Sequence, residues 1–189
     1  MRASHPTLVA ASRAIAAQRE EMISRWSEWL GDRMTSSRVV SRALVERQLG
    51  LILDVLAAMV GPLRRETKPI WARVTEHYGR IAAARGLAAG EVVEEMQYLR
   101  EVLIRYLAPS IAALRPRQGM ALLLRLNRLV DRGVAMAVVG YTDALVHTLI
   151  PSDGRHGNGA PTVDAADFSR DLETIGHDLG EVVASAGGR

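Results

Sequence analysis

Apolar residues recur every three or four positions along most of the chain, the period of helices with one buried face. Over residues 7–30 they are Leu8, Ala11, Ile15, Met22, Trp26 and Trp29. This spacing predicts one helix, begun by Thr7 after Pro6 and ended by Gly31 and Asp32. Thr35, Ser36 and Ser37 predict a turn with capping hydroxyls. Val40, Leu44, Leu51, Val55 and Met59 then mark a second helix, which Gly61 and Pro62 stop. Residues 63–68 are charged and read as a loop. Pro69 is expected to open a third helix over 70–85, where its missing N–H costs nothing. The stripe of that helix is Ile70, Val74, His77, Tyr78, Ile81 and Arg85. Gly86 suits the position just past its end, and Leu87 the apolar contact that goes with such a cap.

A fourth helix is expected to start near residues 89–91, with Glu91, Glu94 and Glu95 placed to favour the positive end of its dipole. Val92, Met96, Leu99, Leu103, Tyr106 and Leu107 line one side; Pro109 is expected to weaken or end it, and Pro116 marks the next boundary. The fifth helix, over 117–149, carries Leu122, Leu126, Leu129, Gly133, Ala137, Gly140, Ala144 and Leu145. Glycine inside a helix costs about 0.5–1 kcal/mol relative to alanine. Two of them on one seam therefore announce a close helix neighbour, either within this chain or the same helix of a second subunit. Residues 151–163 hold prolines, glycines and small polar residues and read as a linker. Beyond it Phe168, Leu172, Ile175, Leu179, Val182 and Val183 give a short amphipathic helix. No stretch alternates with period two. The expected fold is all-α: a five-helix bundle over residues 1–150, the linker, and a short C-terminal helix within 164–189.

Charge narrows the function. The net charge is +3, with Lys68 the sole lysine and acidic residues interleaved among the arginines. Phosphate binding needs a basic stripe on one face, so a nucleic-acid binder is not expected. With no cysteines, disulfides, thiolate metal sites and cysteine nucleophiles are excluded. The first twenty residues lack the uninterrupted apolar core of a signal peptide. No apolar run approaches the roughly 20 residues that span a bilayer. A cytoplasmic protein without a membrane segment is expected.

The candidate chemistry is sparse. The five histidines are His5, His77, His147, His156 and His177, and no pair has the spacing that sets two metal ligands on one helical face. Phosphate-binding loops, dinucleotide fingerprints and nucleophile elbows are missing too. Neither a catalytic residue nor a metal or cofactor is expected. Trp26 and Trp29, three apart on one face, with His77, form a candidate apolar-ligand or haem pocket, set against the plainer reading that they fill a core.

The stretch 77–106 holds His77 and Arg80 on one helix, Gly86 between, and Glu95, Leu99 and Arg100 on the next. Later come Asp131, an alanine- and valine-rich run and Tyr141, and an early helix carries Trp26 and Trp29. In this order the residues resemble the N-terminal sensory domain of RsbRD-type stress regulators, related to domains that precede bacterial histidine kinases. The resemblance covers roughly residues 10–148. It departs at Met96, where the family has a tyrosine. It implies a homodimeric sensory or protein-interaction domain with globin-like helix packing and no haem, working with a regulatory partner of kinase, anti-sigma or response-regulator type. On antiparallel helices, Glu95 and Arg100 are expected to pair with Arg80 or Arg85 and fix register.

The C-terminal segment has a second likeness. Leu172, Ile175, Gly176, His177, Asp178 and Leu179 match the phosphoacceptor box of histidine kinases, in which the acidic neighbour orients the imidazole and takes up its proton. Val182 stands in place of the usual proline and Gly180 in place of arginine. Within these residues no ATP-binding domain accompanies the box, so His177 would receive phosphate in trans. The alternative is an ordinary amphipathic helix that docks on the bundle or on a partner. The leading expectation is thus a non-enzymatic bacterial signalling domain. A two-component role for His177 and an apolar-ligand sensor stand behind it.

Overall fold

The computed structural model describes residues 5–31, 40–149 and 165–187. Among these it is all-helical: α1 (His5–Ala17), α2 (Arg19–Gly31), α3 (Arg42–Val60), α4 (Arg64–Ala84), α5 (Ala89–Ala112), α6 (Pro116–Leu149) and α7 (Ala165–Gly187). None of the described helices is long and apolar enough to cross a membrane.

The single helix expected over 7–30 is two, parted at Gln18. Thr7, expected as a cap, lies buried inside α1. At the break Arg19 reaches α3, where its guanidinium bonds Asp54 at 2.7 and 3.1 Å and covers Gly50. This is a tertiary pairing, which periodicity alone does not report. Ser41 caps α3, its Oγ accepting the Leu44 N–H at 3.2 Å. The expected turn at Thr35, Ser36 and Ser37 and the linker over 151–163 lie outside the described residues.

The charged stretch 63–68 is not a loop: α4 begins at Arg64 and runs through Pro69. Glu66 suits the dipole of the first turn. Thr67 returns its N–H and hydroxyl to the Leu63 carbonyl at 2.9 and 2.7 Å. Pro69 removes only the bond to the Arg65 carbonyl, on an exposed turn near the helix start. α5 likewise continues through Pro109 to Ala112, while Pro116 takes the first position of α6.

Two parallel helices, α4 and α6, form the centre. The direction follows from their pairings: Trp71 Nε1 donates to the Leu129 carbonyl at 3.1 Å, and one end of the contact further on Gly79 meets Ala137 and Tyr141. The seam expected on α6 therefore packs on α4 of the same chain. A Cβ on Gly140 would lie 2.0 Å from the Glu76 carbonyl oxygen, and one on Gly79 would lie 1.8 Å from that of Ala137. α3 runs antiparallel to α4, and α5 antiparallel to α6, with α1 and α2 packed across α3 and α5. One continuous apolar core joins all seven helices, including Phe168, Leu172, Ile175 and Leu179 of α7.

Candidate functional site

The stretch 77–106 folds into the end of α4, a tight turn and the first three-quarters of α5. Gly86 has φ +81°, the left-handed conformation that a side chain disfavours. Its N–H bonds the Ala83 carbonyl at 2.9 Å and the Leu87 N–H bonds that of Ala82 at 3.2 Å, the pair of reversed bonds that closes a helix end. Leu87 is buried, and its carbonyl accepts the Tyr141 hydroxyl at 2.8 Å. Ala88 precedes α5 with its N–H bonded to the Glu91 carboxylate at 2.7 Å.

Behind this turn lies a polar network sealed in the core. Arg85 grips Glu95 with two parallel bonds of 2.9 and 2.7 Å, and the Tyr78 hydroxyl donates to the same carboxylate. The Arg85 and Glu95 side chains are 1 % and 3 % exposed, so both charges are out of water. Burial pushes the Tyr78 hydroxyl well above its ordinary range, and the Glu95 charge beside it acts in the same direction. Burial disfavours the Arg85 charge, but the bonds to Glu95 outweigh this and its pKa is raised. The indole of Trp26 packs on Tyr78 with ring centres 5.9 Å apart, its buried Nε1 without a hydrogen-bond partner. Leu99 is fully buried nearby on α5.

The other charged residues of the motif go elsewhere. Arg100 pairs with Asp131 on α6, and Arg80 with Asp171 on α7 at 2.9 Å. Of the expected register pairs, Arg85 with Glu95 is present and the partners of Arg80 and Arg100 are different ones. His77 faces away from Tyr78, toward α3 and α7. Its Nδ1 lies 2.7 Å from Gln48 Oε1, while Gln48 Nε2 donates to the Val74 carbonyl at 2.9 Å. With the amide nitrogen so committed, Oε1 is the acceptor and Nδ1 carries the proton. Nε2 is buried without a hydrogen-bond partner, 4.0 Å from Asp171. Burial lowers the His77 pKa to about 4; Arg80 adds to the shift and Asp171 opposes it.

The proposed pocket residues face different neighbours. Trp26 is in the core against Tyr78, and His77 meets the edge of Phe168 at 5.6 Å. Trp29 stacks on Tyr98 at 4.3 Å beside a shallow depression lined by Val93, Glu94, Gln97 and Glu101. Among the described residues no cluster of three or more histidine or acidic side chains is placed to hold a metal. His177 stands on the outer face of α7 with its side chain 74 % exposed, its Nε2 3.4 Å from Glu181. Asp178, which the phosphoacceptor pattern assigns to the imidazole, instead pairs with Arg73 of α4.

Three participants escape a reading by period. Gln48 is a lone amide on the apolar stripe of α3, which is the one signal it offers. Trp71 sits beside the seam that predicted a close neighbour. Asp171 looks like any solvated acid until α7 is laid on α4. Comparison with known protein families, curated proteins and solved structures finds no match to this chain.

Proposed function

We propose that the chain is a non-enzymatic bacterial signalling domain, a sensor or adaptor of the RsbRD N-terminal type that acts through helix packing and protein–protein contacts. The reading includes a cytoplasmic homodimer, a globin-like arrangement of the long helices without haem, and a regulatory partner of kinase, anti-sigma or response-regulator type. The observation that carries it is the sealed Arg85–Glu95–Tyr78 network. The acid, base and hydroxyl that a catalytic reading of 77–106 would need are consumed in joining α4 to α5. The small-residue seam of α6 gives the dimer no support, because α4 occupies it; the homodimer rests on the resemblance. Cross-linking of the full chain in cells, followed by mass spectrometry, tests the reading. A regulatory protein joined to it is the expected result, and recovery of the chain without any protein partner counts against it. Light scattering at micromolar concentration tests the dimer.

One observation favours a second reading, phosphate transfer to His177 in trans. The imidazole is open to solvent and has the Glu181 carboxylate 3.4 Å away. Incubation with a cognate kinase and labelled ATP, with His177→Ala as control, decides it; an unlabelled wild type removes this reading.

A further inference from the structure

α7 lies in the groove between α3 and α4, antiparallel to α4. Phe168, Leu172, Ile175 and Leu179 point down into the core, and three acids flank them. Each acid meets an arginine of the groove: Asp171 with Arg80, Glu173 with Arg47, and Asp178 with Arg73. The groove is therefore apolar along its floor and basic on both rims, Arg47 coming from α3 and Arg73 and Arg80 from α4.

The fit of α7 is incomplete. A recess of about 330 Å³ remains between the two helices, lined by Arg73, Glu76, Arg80, Asp171, Thr174 and Ile175. The Arg47–Glu173 pair is exposed on both sides and the Arg73–Asp178 and Arg80–Asp171 pairs are half-exposed, so each contributes little and is screened by salt. The fifteen residues 150–164 join α6 to α7. At about 3.3–3.6 Å per residue they reach roughly 50 Å, enough for α7 to leave the groove and stay attached.

We propose that the α3–α4 groove is the docking site for an acidic amphipathic helix of a partner protein, and that α7 is its intrachain competitor. The inference rests on reading the chain as a protein-contact module. It specifies the partner's chemistry: apolar residues at the 4–3–4 spacing of Phe168, Leu172, Ile175 and Leu179, with carboxylates on both flanks. α7 covers the groove by default, and the partner helix takes its place when its concentration or fit exceeds that of the tethered one.

The chain has no cysteines, so Glu66→Cys and Ser185→Cys, both exposed positions on α4 and α7, accept a donor and acceptor dye in the full-length protein. The probe is a designed helix of leucine, alanine and glutamate with leucine at the four apolar positions and glutamate at the three acidic ones. At millimolar probe, the order of effective concentration that a tether of this length sets, energy transfer is expected to fall by at least half. The same helix with lysine for glutamate leaves it unchanged. In a second arm the labelled acidic helix binds the undocked variant Leu172→Glu/Ile175→Glu at least tenfold tighter than wild type. Adding Arg73→Glu/Arg80→Glu removes that gain. Unchanged transfer at millimolar acidic helix overturns the proposal even where the undocked variant fails to fold. So does equal displacement by the lysine helix. Energy transfer between one copy labelled at residue 66 and another labelled at 185 also overturns it, because the groove then belongs to α7 of a second copy. None of these failures affects the cross-linking result that tests the signalling role.

Discussion

The hydroxyl of Tyr141, on α6, donates at 2.8 Å to the carbonyl of Leu87, the residue that turns the chain from α4 into α5. One side chain thus fastens three helices at a point where the backbone carbonyl has no helical partner. Tyr141→Phe keeps the ring and loses the bond. It is expected to lower the unfolding free energy by about 1–2 kcal/mol, read by urea denaturation. Hydrogen exchange should quicken first at the amides of Gly86 and Leu87.

Glu95 neutralises a guanidinium with no access to water. Glu95→Ala leaves that charge in the core without its carboxylate, and a loss of about 3–5 kcal/mol is expected. Replacing all the members together, as Tyr78→Phe/Arg85→Met/Glu95→Leu, removes the desolvation cost along with the bonds. The triple variant should recover most of the lost stability. If its melting temperature is no higher than that of Glu95→Ala, the network is more than a substitute for apolar packing.

His77 gives the fold a pH dependence of defined sign. The unfolded chain takes a proton on this residue near the ordinary 6.5, the folded chain only near about 4. Between these values the unfolded state binds more protons, so stability is full above pH 6.5 and declines as the pH falls toward 4. The whole effect is roughly 3 kcal/mol. Denaturation of wild type and His77→Gln in parallel at pH 7.5 and 4.5 isolates it from the other titrating groups. The difference between the two proteins should shift in favour of His77→Gln at the lower pH.

Glycine replacements should separate into two classes. At Gly79 and Gly140 an added methyl meets a backbone carbonyl, which cannot turn aside as a side chain can. Gly79→Ala and Gly140→Ala are each expected to cost about 3 kcal/mol or more, or to prevent folding. Gly180 has nothing within 4 Å of the added atom, and Gly180→Ala should stabilise by about 0.5–1 kcal/mol. Thermal melts of the three variants test the division.

The helical period carried most of the architecture, because each helix buries one stripe and the stripes are written in the sequence. Val92, Met96, Leu99, Leu103 and Leu107 are all buried, as their spacing requires. Gly86 and Leu87 showed the α4–α5 turn for a similar reason: the cap is local chemistry. The misses have other causes. Pro69 was expected to open a helix and Pro109 to weaken or end one, but the chain stays helical through both. The break at Gln18 accompanies a pairing of Arg19 with a residue thirty-five positions away. Arg80 and Arg100 pair outside the α4–α5 hairpin, with α7 and α6, and no local pattern distinguishes those acids from the nearer ones. Glycines in α6 announced a close neighbour without saying which; the answer was in α4, where Gly79 reads as an unremarked glycine in a helical run.

That contact has a mechanical consequence. Gly79 and Gly140 each seat a carbonyl of the opposite helix, so α4 and α6 interlock like teeth. A slide of a single residue, about 1.5 Å, would bring a side chain against a backbone oxygen. The two helices therefore move as one stiff rod, and piston strokes along it are blocked. Relative motion of the helices is then left to swinging or lifting of the outer ones about that rod, as a door moves about its post.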